Sequence, residues 1–599
     1  MVRTNQRVYE TQTRPEVISL QYSPGPIVFL MEKVKNCLTS WPNEMAAFIG
    51  KMNTKFGWKM LIFFTSIYGL GQGLAQGWFY PAQNYFFKDE LNLGVVTANA
   101  YATVTHIPWT IKPLYGILSD NFPLFSNHRT NYIIFSSAIG IFCWMMLASI
   151  PPVIGICLLL LVLGNYSLAC PDVMSDAVVA EKSKLFPTYA SDLQAFNNYL
   201  FAIFAIIGTL SAGFLIDDAG SRLVFGLITI TSVLVFVPSA MNYLDDKQKL
   251  YAYVDDDDNE NSSTVSNEKI LLSRKPICIY GSCLLTLELL YKNNFEFSKL
   301  GLYLSFLVVL SGIIVAVQIP VAAKGSVVLV ITIGICLLVH YSLRYNHNVV
   351  SKVALFLFLR EVFQPNVDTA FFYWYTDANN GPHFSPEFVG IINTISYLAM
   401  FIGIYIYNKY LRGYQYRTIF TWVQIVLVFT NLLDFLFVTR ANTAIGIPDK
   451  VFILGDSTIG PVVKRLYLMP MFVLSSKVCP DGSEATLYAI MMSLSNYGYD
   501  VGTVFGTVLL SIFRVSNDNW SGFKWVLLIK SILRIVPIIL IKYLVPTGTP
   551  DDDNKEEDDS DIEGKNSTAT NVTVDNPLSV KPLDPRMTIN AATFTGITL

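Results

Sequence analysis

Between residues 58 and 545 the chain returns repeatedly to stretches of about 20 mostly apolar residues, the length a helix needs to cross a bilayer. Few architectures tolerate that pattern. In hydrocarbon each backbone amide must be satisfied internally, so uninterrupted apolar runs of this length select helices. Six runs fill the first part of the chain: 58–80, 96–118, 132–150, 152–179, 193–215 and 223–243. Eight fill the second: 300–320, 326–343, 350–376, 388–408, 417–439, 451–478, 486–513 and 523–545. Only 15% of residues are charged, against about 25% in soluble domains. The expectation is an all-α polytopic membrane protein with about 14 spans.

The run count becomes intelligible once a repeat is sought. The segment QNYFFKDELNLGVVTANAY (83–101) and the segment TAFFYWYTDANNGPHFSPEFVGIINTISYL (369–398) each carry an aromatic cluster, an acidic turn and then the next run. A second echo links AEKSKLFPTYASDLQAFNNYL to SSKVCPDGSEATLYAIMMSLSN. On this reading 350–545 repeats 58–243, six helices each, with the runs at 300–343 inserted between them. Residues 1–57 form a cytosolic N-terminal segment, 244–299 a cytosolic linker with one short apolar stretch, and 546–599 an acidic, Ser/Thr-rich disordered tail. Two related six-helix halves around a polar linker are the layout of major facilitator transporters. The lysine and arginine distribution places both termini and the linker on the cytosolic side. No short apolar core with a cleavage site begins the chain, so neither a signal nor a transit peptide is expected.

Some function classes are excluded early. The net charge of −3 gives no basic signal for nucleic acid. The eight cysteines lack metal-ligand or disulfide-framework spacing, so no metal site is expected. Phosphate-loop, metalloprotease-helix and nucleophile-elbow motifs are missing, so no enzyme is expected. What remains is a set of ionisable groups inside apolar helices, each costly in lipid and therefore a candidate for function.

Lys112 stands between Pro108 and Pro113 in HIPWTIKPLYGILSDNFPLFSNHR. It has two readings: a substrate or partner group within the bundle, or a lysine that snorkels to the headgroups from near the helix end. Asp172 and Asp176, in ACPDVMSDAVVAE, lie at i and i+4 on one helix face. They suit proton coupling, or an ion pair with Lys112. Arg360, Gln364 and Asp368 fall at i, i+4 and i+8, with Pro365 expected to kink the helix beside them. Arg360 has an alternative partner in adjacent Glu361. Asp456, Lys464, Arg465 and Asp500 are further buried charges, and Arg465 could grip a carboxylate bidentately. Gly69, Gly73 and Gly77 share a face that permits close helix approach, beside Gln72 and Gln76. The aromatic run 371–375 could stack a flat ring or form an interfacial belt.

Four blocks, IPWTIKPLYGILSD with PLF, DVMSDAVVAE, LGDS and EATLYAIMMSLSN, together resemble the folate–biopterin transporter family of the major facilitator superfamily. The resemblance runs through nearly all of 58–545. By motif position it implies roles for Lys112, Asp172, Asp176, Asp368 and Asp456, whereas Arg360, Lys464, Arg465 and Asp500 rest on burial alone. Gly116 and Asp120, with Arg129, look like the superfamily's loop motif that latches the inner gate. The resemblance implies a small-molecule substrate of folate or pterin type, or S-adenosylmethionine, moved through a lipid bilayer by alternating access. A proton gradient is the implied driving force and no cofactor is implied. The plasma membrane is the expected location, with an organellar membrane the alternative. A ligand receptor in a transporter fold is the competing class.

Overall fold

The computed structural model describes residues 46–121, 124, 127, 129–186, 189–244, 296–344, 348–376, 381–478 and 484–550. The expected N-terminal segment, most of the linker and the tail lie outside these residues. Residues Met1–Trp58 cluster as one unit, of which a helix over 46–56 is described. The account below concerns the second unit, Lys59–Leu599.

All regular structure among the described residues is helical, apart from two isolated bridges. The first span is α1 (58–90), a continuous rod in which Trp58–Phe64 and Ala75–Tyr85 alternate with π-wound segments Thr65–Leu74 and Phe86–Glu90. Next come α2 (Val95–Thr110) and α3 (Lys112–Asn121), where one unbroken run was expected. The rest of the N-terminal group is α4 (Thr130–Ser149), α5 (Ile154–Leu185) and α6 (Ala190–Ala240). Then α7 (Glu296–Ala316) and α8 (Val321–Leu343) occupy the expected insertion. The C-terminal group holds α9 (Asn348–Val362), α10 (Asp368–Thr376), α11 (Pro386–Ile406), α12 (Tyr416–Val438), α13 (Asp449–Lys477), α14 (Glu484–Ile512), α15 (Phe523–Leu533) and α16 (Val536–Leu544).

Two expected runs, 193–215 and 223–243, are covered by α6, which turns at Gly220 (φ 80°, ψ 174°), a conformation only glycine adopts without strain. The α2/α3 break has a specific cause. Ile111 leaves helical geometry (φ −90°, ψ 19°), and Pro113 has no N–H to offer the carbonyl of Trp109. The Leu114 amide turns to Ile111 instead, so the Thr110 carbonyl is also left over. Both orphans are taken up by α14: Asn496 Nδ2 donates to Trp109 O at 3.2 Å and Ser493 Oγ donates to Thr110 O. The α9/α10 break is made the same way by Pro365. There the Asn366 amide donates to Gly502 O of α14 at 3.1 Å, and Asn366 Oδ1 caps α10 by accepting from the Asp368 amide at 2.8 Å. A Cβ at Gly502 would stand 2.8 Å from the carbonyl oxygens of both Glu361 and Gln364, so the broken segment can seat only on glycine.

The N- and C-terminal groups meet along two seams, α2 against α14 and α6 against α11, while α7 and α8 pack on α2, α14 and α9. Seven helices among the described residues are long and apolar enough to cross a membrane. Their outer faces invert the soluble pattern: Phe135, Phe306, Val330 and Trp422 are each at least 60% exposed, whereas Asn99, Asp172, Arg360 and Asp500 are buried. Apolar outside and polar inside is what a lipid solvent requires. Helices α1, α2, α3, α9, α13, α14 and α15 are shorter or less apolar, and they carry many of the polar and charged groups considered next, which meet Asp172 and Asp176 of α5 and Asp434 of α12.

Candidate functional site

The first cluster joins α1, α3 and α5. Lys112 Nζ lies 2.7 Å from Asp172 Oδ2, with side chains 9% and 3% exposed. The same ammonium sits 4.7 Å from the centre of the Trp109 ring, and Trp109 Nε1 donates to Asn165 Oδ1 at 3.1 Å. Lys112 is thus buried in the bundle and does not snorkel. One turn along α5, Asp176 Oδ1 accepts from the Tyr68 hydroxyl at 2.7 Å. Two carboxylates therefore share one lysine, and Asp176 has a neutral phenol where Asp172 has a cation. Gln72 ties α1 to α5 here: its Nε2 donates to Leu168 O at 2.8 Å, and Gln76 donates to Gln72. Gly73 presses its α1 face onto Phe201 of α6, the close approach expected of the glycine stripe.

A second cluster bridges the α2–α14 seam. His106 Nδ1 is 2.8 Å from Asp500 Oδ1, and Thr110 Oγ1 donates to Asp500 Oδ2 at 2.6 Å. Nearer the Glu90 end of the bundle, Asn99 Nδ2 donates to Asn366 O, Thr503 O and Thr507 Oγ1. At that end Lys88 Nζ also donates to Thr376 Oγ1 at 3.0 Å, and the rings of Tyr85 and Phe372 meet edge to face.

The third cluster lies in the C-terminal group. Lys530 of α15 stands between Asp434 of α12 (3.7 Å) and Asp368 of α10 (3.9 Å), with Asp456 of α13 within electrostatic reach. Asp368 is 72% exposed, Lys530 12%. Arg534, one turn beyond Lys530, donates twice to Gln364 Oε1 and once to Asn431 Oδ1. Arg360 pairs with Glu361 and lies over the Tyr467 ring at 3.5 Å. The expected stripe of Arg360, Gln364 and Asp368 is interrupted, because the chain leaves the helix at residues 363–367 and Asp368 opens a new one. Arg465 packs its Cβ near Gly403 of α11 and holds its Nε buried without an acceptor.

The expected gate residues sit at the far end of α3. Arg129 donates to Ser119 Oγ at 2.5 Å and meets Glu181 of α5 at 3.2 Å. Gly116 has only Val173 as a neighbour, 4.0 Å from where a Cβ would stand. The Asp120 side chain lies outside the described residues.

Sequence reasoning left out Tyr68, Asp434, Lys530 and Arg534. The last three carried the signal already used for Lys112, a charge within an apolar run. Tyr68 carried none, since a tyrosine in such a run is ordinary.

Comparison with known proteins places this arrangement. A probable folate-biopterin transporter of Arabidopsis thaliana is 25% identical over 86% of this chain and 90% of its own length. The folate-biopterin transporter of a Synechocystis strain is 24% identical, covering 81% of this chain and 82% of its own. The crystal structure of a peptide transporter, POT, in complex with sulfate superposes with a TM-score of 0.56 at 13% identity, over 81% of this chain and 93% of that one. The helices therefore build a major facilitator fold. A family model matches residues 72–565, and the chain belongs to the BT1 family.

Proposed function

We propose that this protein is a secondary active transporter of folate- or pterin-type solutes, driven by protons and working by alternating access. The names of its relatives support the substrate class. The halves at 58–243 and 350–545 rock against each other across the α2–α14 and α6–α11 seams, with 300–343 as an inserted pair. Lys112, Asp172, Asp176, Asp368, Asp456 and Arg465 supply the substrate and proton groups. Arg360, held by Glu361 and Tyr467, shapes the wall from behind. Arg129, with Gly116 and Asp120, serves the gate at the far end of α3.

One observation carries the proton coupling: the N-terminal cluster holds two carboxylates and one cation, and among the described residues the hydrogen bond of Asp176 is to the Tyr68 hydroxyl while Lys112 pairs with Asp172. An uncompensated carboxylate in a low-dielectric bundle is costly unless it takes up a proton or a cationic group. Asp176 is thus the group whose charge must change during the cycle.

The test is uptake of labelled folate, biopterin and S-adenosylmethionine into proteoliposomes with and without an imposed proton gradient. The expected result is gradient-driven uptake of folate or biopterin. Asp176→Asn is expected to keep exchange of internal for external substrate while losing the response to the gradient. Uptake of none of the three by folded protein overturns the substrate class. Full gradient-dependent uptake by Asp176→Asn overturns the coupling role.

A further inference from the structure

Five cations of the C-terminal bundle differ in how far their binding capacity is used. Arg534 is spent on Gln364, Asn431 and the Leu427 carbonyl, and Arg360 on Glu361 and the Tyr467 ring. Arg465 packs its Cβ against Gly403 of α11 and keeps a buried Nε without an acceptor among the described residues. Lys530 is different. Its side chain is 12% exposed, yet its two nearest carboxylates stand at 3.7 and 3.9 Å, beyond hydrogen-bond distance, with Asp456 also within electrostatic reach. An ammonium has three donors to place. Lys464 of α13 is within electrostatic reach of Asp368 and Glu361.

Asp368 is the group these two lysines share. The Pro365 break puts it at the first position of α10, where its side chain is 72% exposed. A carboxylate directed into hydrocarbon is strongly disfavoured, and Asp368 faces Lys530, whose own side chain is only 12% exposed. The backbone holds its Cα through the Asn366 cap, and the carboxylate's ion-pair contact among the described residues is the 3.9 Å approach to Lys530. Lys530 stands 3.9 Å from this carboxylate, and Lys464, on another helix, is within electrostatic reach of it.

We propose that Lys530 and Lys464 form a subsite for an anionic group of the transported solute, with Asp368 as the exchangeable carboxylate that occupies it between substrates. The inference rests on the transport reading above and adds a rule of selectivity to it. Folate carries a glutamate tail with two carboxylates, and biopterin carries none. The subsite serves the first and is irrelevant to the second. Asp434 holds the Lys530 ammonium in place from the protein side.

Uptake kinetics for folate and biopterin in proteoliposomes test this directly, using Lys530→Gln, Lys530→Arg, Lys464→Gln and Asp368→Asn. A lost charge-assisted contact corresponds to about tenfold or more in affinity. Lys530→Gln is therefore expected to raise the folate KM about tenfold while the biopterin KM moves by less than about twofold. Lys464→Gln is expected to act in the same direction, and Lys530→Arg to restore folate. Asp368→Asn removes the competitor and is expected to lower the folate KM. Retained biopterin uptake shows that each lysine variant is folded, and a monodisperse elution profile shows it for Asp368→Asn. Equal loss of both substrates in Lys530→Gln and Lys464→Gln, or folate kinetics unchanged in both, overturns the subsite alone. Wild-type protein that moves neither substrate overturns the transport reading beneath it.

Discussion

Replacing Lys112 by Met tests the N-terminal cluster most severely. The substitution keeps the length of the side chain and removes its charge. In the native protein the ammonium sits 2.7 Å from Asp172, with both side chains under 10% exposed. Removing one member of such a pair strands the other, at a cost of about 3–5 kcal/mol. The cation–π contact with Trp109 adds roughly 0.5–2 kcal/mol. Lys112→Met also leaves Asp172 and Asp176 as two carboxylates one turn apart with no cation, which destabilises the helix further. The double variant Lys112→Met/Asp172→Asn removes the stranded charge. Its remaining losses are a buried hydrogen bond, about 0.5–1.5 kcal/mol, and the same cation–π contact with Trp109 that Lys112→Met loses. The order of stability is therefore wild type, then the double variant, then Lys112→Met. Scans of detergent-solubilised protein at one fixed heating rate rank the three, because such unfolding is read as a rate-dependent transition. A double variant as unstable as Lys112→Met, with the two changes simply additive, would show that the 2.7 Å pair contributes no coupling and that the reasoning is wrong.

The broken helices give further expectations. Gly502→Val drives a branched side chain into the Glu361 and Gln364 carbonyls, 2.8 Å from the first added atom; a loss of about 2 kcal/mol or more is expected, read as a lower transition temperature and reduced yield of monodisperse protein. Asn496→Ala leaves the Trp109 carbonyl without its donor, costing about 1–3 kcal/mol. In a Pro113→Ala background the residue 113 amide can reach that carbonyl, so the cost of Asn496→Ala is expected to shrink, and equal costs in the two backgrounds would contradict the account of the break. His106→Phe strips Asp500 of one of its two α2 partners across the seam and leaves Thr110 as its donor; about 1–3 kcal/mol of stability is expected to go, with a larger loss of uptake if the seam opens during transport.

What could be read in advance follows from how far apart the interacting residues lie in the chain. Run length and composition fixed the helical class, because bilayer thickness acts on each segment separately. The i, i+4 spacing of Asp172 and Asp176 was equally local, and so was the kink at Pro365. The pairing of Lys112 with Asp172 was one of two open readings, since the sequence does not say how deep in the bundle a lysine nine residues before a helix end will sit. Only the neighbouring α5 decides it. Two helix breaks were missed or underestimated because the proline effect is local but its compensation is not. Pro113 would be too costly in the middle of a buried helix unless a donor stood beside Trp109 O, and that donor, Asn496, is almost 400 residues away. Gly502 likewise looks like any small residue in an apolar helix until the broken segment at 363–367 is laid against it. The same reasoning separates the charges. Asp434, Lys530 and Arg534 were as visible as Lys112, each a charge in an apolar run. What no local pattern could show is which of them is already satisfied. Arg534 and Lys530 stand one turn apart on one helix face, yet the first is fully engaged and the second is held loosely between two carboxylates. An ion-binding role depends on that unfilled capacity, and it is a property of four helices together.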